Sequence, residues 1–348
     1  MKNYKYINSS DKIKKTILVY LLFWNKVLRN KIREYYRKKG FLDLLNLVNT
    51  KYKNDYVFFT RNGIGDLYFI LSIMREFKKR HTGRIILIID KPNLYDYIKS
   101  FNVVDEIIAS KELKYMQGFT PLQRKVRKKQ INYLFFPYRG KKPNFIFADS
   151  YCNLLDLPLN TKRVEPNLSK ENIQNALQEY KKLNISPKKT IILIPESVMF
   201  DYRLLNTKFW IKLAQKIEQS GYNVVFNSKN KAFKNFKHTF LKINDFICFA
   251  QQARHIISFR SGISDLLAGM GIFQQTTLYP PFLEVIWANK YLFDNLCNKY
   301  HEKLHEDEFD NIFHIYSLNT NFPNSNISEI VLNHDNDELQ KLLLKKIY

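Results

Sequence analysis

Three short segments hold residue types that could do chemistry: Asn62-Gly63-Ile64-Gly65-Asp66, Pro195-Glu196-Ser197, and Ser258-Phe259-Arg260-Ser261-Gly262-Ile263-Ser264-Asp265. In the first, Gly63 and Gly65 let a ligand approach the backbone, and a helix that starts there offers free N–H groups. The segment is neither G-x-G-x-x-G nor a Walker A loop, because no Gly-Lys-Ser/Thr follows. Asp66 does not favour direct phosphate binding. Its carboxylate could instead take a proton from an attacking hydroxyl, or it could simply cap a helix. In the second segment a hydroxyl stands near the cations Arg203 and Lys208, a set that suits a diphosphate or, more plainly, surface ion pairs. In the third, Ser261 and Gly262 open a helix toward an anion while Arg260 adds a planar cation. The alternative there is a capped turn with Asp265 exposed.

These segments sit where strands are expected to turn into helices. Tyr56–Thr60 reads as a buried strand, followed by a helix from Asp66 that ends on Lys78, Lys79 and Arg80. Residues 84–89 form a second strand, Leu94–Phe101 a helix, Val104–Ile108 a short strand and Ile131–Phe136 another. The second half repeats this grammar: a helix Asn172–Leu183, a strand Thr190–Ile194, a helix Thr207–Ser220 and a strand Tyr222–Phe226 ending beside Asn227. A helix Asp245–Ala253, a strand His255–Phe259, a helix Ile263–Met270, a strand Gln275–Tyr279 and a terminal helix Asp335–Ile347 complete it. Alternating strands and helices predict parallel sheets covered on both faces. The expected fold class is α/β, with two doubly wound Rossmann-like domains facing across a cleft. The expected boundaries are a basic segment 1–50, an N-terminal domain 51–185, a C-terminal domain 186–330 and a terminal helix 331–348.

The chain has 348 residues, enough for two cores. Apolar residues make up 45% and charged residues 25%, which excludes a disordered chain. Three scattered cysteines make neither a disulfide framework nor a zinc site, and point to a reducing compartment. The net charge of +24 favours anionic partners. Residues 1–50 carry Lys and Arg between apolar residues at roughly helical spacing, with Phe23 and Trp24. Such a helix can lie in an anionic membrane interface or dock on the protein's own core. The apolar run Ile17–Trp24 is too short to span a bilayer, and no small-residue cleavage site follows it. The run Arg124–Lys129 is a second basic stretch. His301, Glu302, His305 and the acids after them lack a placed third ligand, so no metal site is expected.

Taken together, the three segments resemble the heptosyltransferases and their relatives, glycosyltransferases of the two-Rossmann (GT-B) class, family 9 type. The resemblance runs from about Tyr56 to Phe293. Gly63-Ile64-Gly65-Asp66 is similar to the family's Gly-Asp motif, whose aspartate is the catalytic base and maps onto Asp66; Ser72 stands where the family usually has proline. Pro195-Glu196-Ser197 resembles the loop after the first donor-domain strand. Asp201-Tyr202-Arg203 is similar to the Lys-x-Trp-Pro segment, with Arg203 on the phosphate-holding lysine and no Trp-Pro pair. Residues 258–268 resemble the Ser-x-Asp-Thr/Ser-Gly-x-x-His-x-x-Ala block, with Arg260 in place of the aspartate and Asp265 in place of the histidine.

The resemblance implies an inverting transfer of heptose or a similar sugar from a nucleotide-diphosphate donor to a glycan or glycolipid of lipooligosaccharide or capsule type. Asp66 is then the base. Pro195, Glu196, Ser197, Arg203, Asn227, Arg260, Ser261, Gly262 and Asp265 form the donor site, and Asn62, Gly63 and Gly65 the acceptor loop. No metal is expected, and no cofactor beyond the nucleotide sugar as co-substrate. The expected location is cytoplasmic, at the inner face of the cytoplasmic membrane. Two other readings stay open: a non-catalytic or polyol-phosphate-transferring GT-B protein at the membrane surface, and a basic nucleic-acid-binding protein. The chain shows no recognised nucleic-acid module, so nucleic acid is not the expected partner.

Overall fold

A computed structural model describes residues 35, 39–40, 42–43, 46–48, 50–60, 63–110, 131–133, 147–197, 205–279, 317–332 and 336–347. Most of the basic segment 1–50, the run Arg124–Lys129 and the histidine-acid run from His301 lie outside them. So do Asn62 and Arg203.

The first half folds as strand β1 (Tyr56–Thr60), helix α1 (Ile64–Arg80), strand β2 (Ile85–Ile89), helix α2 (Tyr95–Ser100) and strands β3 (Glu106–Ala109) and β4 (Ile131–Tyr133). The strands pair in parallel in the order β3-β2-β1-β4, with Val57 opposite Ile86 and Ile131. Val57-Phe58-Phe59 and the whole of Ile85–Ile89 are buried, as unbroken apolar runs must be when both faces of a parallel strand are covered. Helix α1 has Asp66 in its first turn and Lys78, Lys79 and Arg80 in its last, each matched to the nearer end of the helix dipole.

The second half comprises helices α3 (Phe147–Leu154) and α4 (Lys170–Lys182), strand β5 (Thr190–Ile194), helix α5 (Thr207–Gln219), and strands β6 (Asn223–Asn227) and β7 (Lys237–Thr239). Helix α6 (Ile243–Gln252), strand β8 (His255–Phe259), helix α7 (Gly262–Gly269), strand β9 (Gln275–Tyr279), the short helix α8 (Leu318–Asn321), strand β10 (Ser328–Val331) and helix α9 (Asn336–Ile347) follow. All six strands are parallel, in the order β10-β9-β8-β5-β6-β7. Counted from β5 this is 3-2-1-4-5-6 read from the other edge, the dinucleotide-binding order.

One face of this sheet packs Ile191, Leu193, Val224, Phe226 and Ile257 against Trp210, Leu213 and Ile217 of α5 and Leu339, Leu343 and Ile347 of α9. The alternate residues Ile192, Val225 and Ile256 are equally buried, so the sheet is covered on both sides. Helices α4 and α6 meet through stacked Tyr180 and Phe249, and the Tyr180 hydroxyl donates to the Phe249 carbonyl at 2.9 Å.

The strands Tyr56–Thr60, Thr190–Ile194, His255–Phe259 and Gln275–Tyr279 have the bounds that the sequence predicts, and other shared elements shift by one to a few residues. Four elements go beyond those that the sequence predicts: α3, β7, α8 and β10. The strands β7 and β10 are the sheet's two edges and are only three and four residues long. Short edge strands expose little backbone to stray pairing, and they offer little apolar alternation to read.

Among the described residues, those up to 62, with 70–137 and 161–164, form one compact unit; residues 63–69, 138–160 and those from 165 onward form another. The first turns of α1, including Asp66, thus group with the second sheet.

Candidate functional site

The second sheet reverses its winding between β5 and β8, which are neighbours in parallel register. Ligands of such sheets bind outside the carboxyl ends of the strands at this reversal. Two of the three sequence segments follow these strands: Pro195-Glu196-Ser197 leaves β5, and Arg260-Ser261-Gly262 leaves β8. They are tied together, for the Ser197 hydroxyl donates to the Arg260 carbonyl at 3.0 Å. Pro195 is buried and Glu196 exposed. Glu196 accepts from the Ser228 hydroxyl at 2.7 Å, and so turns toward the end of β6, where Asn227 is half-buried. Pro195 and Glu196 also line a cavity of about 180 Å³ with Asn206, Thr207, Trp210 and Phe233.

Arg260 takes an unexpected place. The residue is buried at 5% exposure and so is Asp265 at 4%. Nη1 donates to Asp265 Oδ2 at 2.7 Å and Nη2 lies 2.6 Å from Oδ1, a two-pronged pair within one turn of chain. Burial by itself lowers the Arg260 pKa, but Asp265 and then Tyr279 more than reverse this and hold it above its ordinary value. The two positions at which residues 258–268 depart from the block they resemble are therefore each other's partners. The cation and the anion compensate within the fold, and a capped turn with an exposed Asp265 is not what forms.

The turn itself is capped: Ser261 N–H donates to Ser264 Oγ at 2.8 Å, and Ser264 Oγ donates back to the Ser261 carbonyl at 2.7 Å. Ser261 N–H is thus engaged inside the protein. Gly262 is half-buried at the first position of α7.

The first segment joins this turn. A Cβ on Gly65 would stand 2.3 Å from Asp265 Oδ2, so the buried carboxylate lies directly against the α1 backbone. Glycine is required there by space. The next residue is Asp66. Its Oδ2 accepts from Gly63 N–H at 3.2 Å, the reach-back of a third-position acid in a capping box. Its Oδ1 accepts from the Tyr151 hydroxyl at 2.8 Å. The helix-capping role and a chemical role are therefore compatible in one carboxylate.

Loss of hydration pushes the Asp66 pKa up to about 6, aided by the negative charge of Asp265. The Tyr151 and Gly63 hydrogen bonds and the more distant Arg260 oppose the rise. Such an acid is mostly ionised near neutral pH yet basic enough to accept a proton.

Asp66, Gly65, Gly262, Asp265, Arg260 and Ser197 thus form one continuous cluster. Tyr151 belongs to it as well, although no motif in the sequence marks it. The sequence also holds one Asp-x-Asp, Asp335-Asn336-Asp337; Asp337 is exposed in the first turn of α9 and Asp335 lies outside the described residues.

A six-stranded parallel sheet in this strand order, with an Arg-Ser-Gly turn at its reversal, defines a Rossmann-like α/β fold. More narrowly, the fold is that of heptosyltransferase-like glycosyltransferases. The chain is similar to a glycosyl transferase family 9 protein from Veillonella parvula DSM 2008, with a TM-score of 0.50 and 14% identity over 85% of this chain and 98% of that one. It is similar also to the ADP-heptose LPS heptosyltransferase II of E. coli, with a TM-score of 0.53 and 11% identity over 84% and 98%. No family model and no curated protein matches the chain. At such identities the likeness is one of fold, and function must be argued from the site. Among the described residues no helix is long and apolar enough to cross a membrane.

Proposed function

We propose that the protein is an inverting glycosyltransferase of the GT-B class. It moves heptose or a similar sugar from a nucleotide-diphosphate donor to a hydroxyl of a surface glycan or glycolipid of lipooligosaccharide or capsule type. The observation that carries the reading is Asp66: an acid held by two hydrogen bonds against a buried ion pair, with a pKa pushed up to about 6. General bases work best with a pKa near the working pH. The two sheets are read as the two lobes of the class.

In the reaction the acceptor hydroxyl gives its proton to the Asp66 carboxylate. Its oxygen forms a bond to the anomeric carbon of the donor. The bond from that carbon to the diphosphate oxygen breaks, and the electron pair leaves with the nucleoside diphosphate. Charge then grows on the leaving diphosphate. In this reading Arg203, Lys208 and the N-terminal end of α7 at Gly262 face that charge. Arg260 contributes differently from the sequence expectation: paired with Asp265, it fixes the turn that presents α7. Pro195, Glu196, Ser197 and Asn227 line the donor side, and Asn62, Gly63 and Gly65 the acceptor side. No metal and no resident cofactor enter the scheme.

The basic N-terminal segment would hold the enzyme at an anionic membrane surface, on the cytoplasmic side where nucleotide sugars are made. The second reading, a non-catalytic or polyol-phosphate-transferring relative, is favoured by one observation: the internal pairing of Arg260 and Asp265. One experiment separates the readings. Unfolding midpoints are measured with ADP, GDP, UDP and CDP, followed by turnover of the corresponding nucleotide sugars. Stabilisation by one nucleotide, with release of that nucleotide from its sugar, supports the transferase. Stabilisation without release supports a non-catalytic binder. Stabilisation by none of the four, but by oligonucleotides, would overturn both.

A further inference from the structure

We propose that Tyr151 is the positioning residue of Asp66: its hydroxyl donates to Oδ1, sets the plane of the carboxylate and favours its ionised form. This rests on the reading of Asp66 as the base, but the contact itself stands on geometry. The donor–acceptor distance is 2.8 Å and the Tyr151 side chain is fully buried. A buried phenol that donates to a carboxylate oxygen leaves the carboxylate as acceptor only, so it stabilises the charged form. Oδ2 is meanwhile fixed by Gly63 N–H. With one bond on each oxygen, the carboxylate is locked about its own axis while lone pairs remain for an incoming proton.

The phenol is itself held from behind. Tyr151 stands on α3, and the Ala148 N–H of that helix donates to Asn321 Oδ1 at 2.7 Å. Asn321 is fully buried, and its Nδ2 donates to the Ser317 carbonyl at 2.8 Å. The turn that starts at Ser317 is gathered by Glu329 of β10, which accepts from Ser317 Oγ at 2.7 Å and from Leu318 N–H at 2.6 Å. The Tyr151 ring stacks on Phe69 at 6.0 Å and 9°, and Phe69 stacks in turn on Phe322 at 5.4 Å and 20°. An edge strand of the second sheet is thus linked through α8 and α3 to one oxygen of Asp66. Positional precision of this kind is what a base needs, since small misplacements of a reacting group cost rate steeply.

Among the described residues the titratable groups that act on Asp66 are Tyr151 from α3 and Asp265 and Arg260 from the β8–α7 turn. Tyr279 and Glu329 act one step further away, on Arg260.

The test is Tyr151→Phe, which keeps the ring and deletes the donor. The Asp66 carboxyl is followed by 13C NMR, with its signal assigned by its loss in Asp66→Asn. The midpoint of titration is expected to move up by about 0.5 to 1 pH unit. The acid limb of the pH–rate profile, measured with whichever of the ADP-, GDP-, UDP- or CDP-sugars is turned over, should move by the same amount. Uniform 3-fluorotyrosine labelling of the unmutated chain makes the phenol a stronger donor and should move the midpoint down; it replaces the variant if Tyr151→Phe does not fold. An Asp66 midpoint that stays fixed under these changes would overturn the proposal. A midpoint that moves while Asp66→Asn turns over like the unmutated protein would instead overturn the base role and leave the Tyr151 contact standing.

Discussion

Gly65 and Gly262 meet so closely that neither has room for a side chain. A Cβ on Gly65 would stand 2.7 Å from Gly262 Cα, and one on Gly262 would stand 2.7 Å from Gly65 N. The first turns of α1 and α7 therefore touch backbone to backbone, with the Asp265 carboxylate alongside. Neither glycine has a left-handed backbone, so the requirement is one of space alone. Gly65→Ala and Gly262→Ala are each expected to cost about 1–3 kcal/mol, the scale of overpacking in a fitted interior. Urea unfolding of the two variants checks this. Gly221→Ala tests the opposite case: nothing lies within 4 Å, but a φ of +84° strains any side chain.

Asp66→Asn should lower turnover by about 10²-fold or more while nucleoside-diphosphate affinity stays close to that of the unmutated protein. Asparagine keeps the size and an acceptor oxygen but takes no proton. Steady-state kinetics with calorimetric titration of the nucleotide gives both quantities.

The raised pKa of Asp66 also makes a stability prediction. Its folded value of about 6 lies above the ordinary 3.8, so between these values the folded state binds the extra proton. Stability supplied by this group is complete below about pH 4 and is lost as pH rises through 6. The difference in melting temperature between Asp66→Asn and the unmutated protein should therefore be more favourable to the variant at pH 8 than at pH 4. Melting curves at the two pH values decide it.

His255 titrates with the opposite sign. Burial pushes its pKa down to about 4, helped by Arg254 and Lys346, and its Nε2 meets Thr276 Oγ1 at 2.9 Å. The folded state holds the ring neutral, while the unfolded chain takes up a proton below about 6.5. Its contribution is present above pH 6.5 and is lost as pH falls toward 4. His255→Gln should flatten the fall in melting temperature over that interval.

Arg260→Ala should destabilise the fold by about 3–5 kcal/mol, because it leaves the buried Asp265 carboxylate without the counter-charge of the guanidinium. The double change Arg260→Met with Asp265→Leu removes both charges and should cost much less than the sum of the two single changes. A double-mutant cycle in urea measures the coupling. Reduced nucleotide affinity in a fully folded Arg260→Ala would instead assign the arginine to the donor phosphate directly.

Much of the fold was legible in the chain. Thr190–Ile194, His255–Phe259 and Gln275–Tyr279 are short apolar or β-branched runs bounded by turn residues, and local pattern suffices for such strands. Gly63 to Asp66 and Ser261 to Asp265 announced themselves as strand-to-helix turns because glycine, serine and aspartate have local backbone preferences. Helix α3 did not: Ala148, Tyr151, Cys152 and Leu155 are buried at helical spacing, but eight residues with no glycine or proline at their borders are too short a window to separate helix from strand.

The sequence determined which residues stand at the carboxyl ends of the strands, because alternation and turn chemistry act over a few neighbouring residues. Only tertiary structure decided what those residues do to one another. Arg260 reads as a cation turned toward a ligand until Asp265, five residues on, is seen folded onto it. Asp66 reads as a simple helix cap until Tyr151, 85 residues away in the chain, is found on its carboxylate. Charge pairing, desolvation and close packing depend on distance in space, and sequence separation carries little information about that distance once the chain has closed on itself.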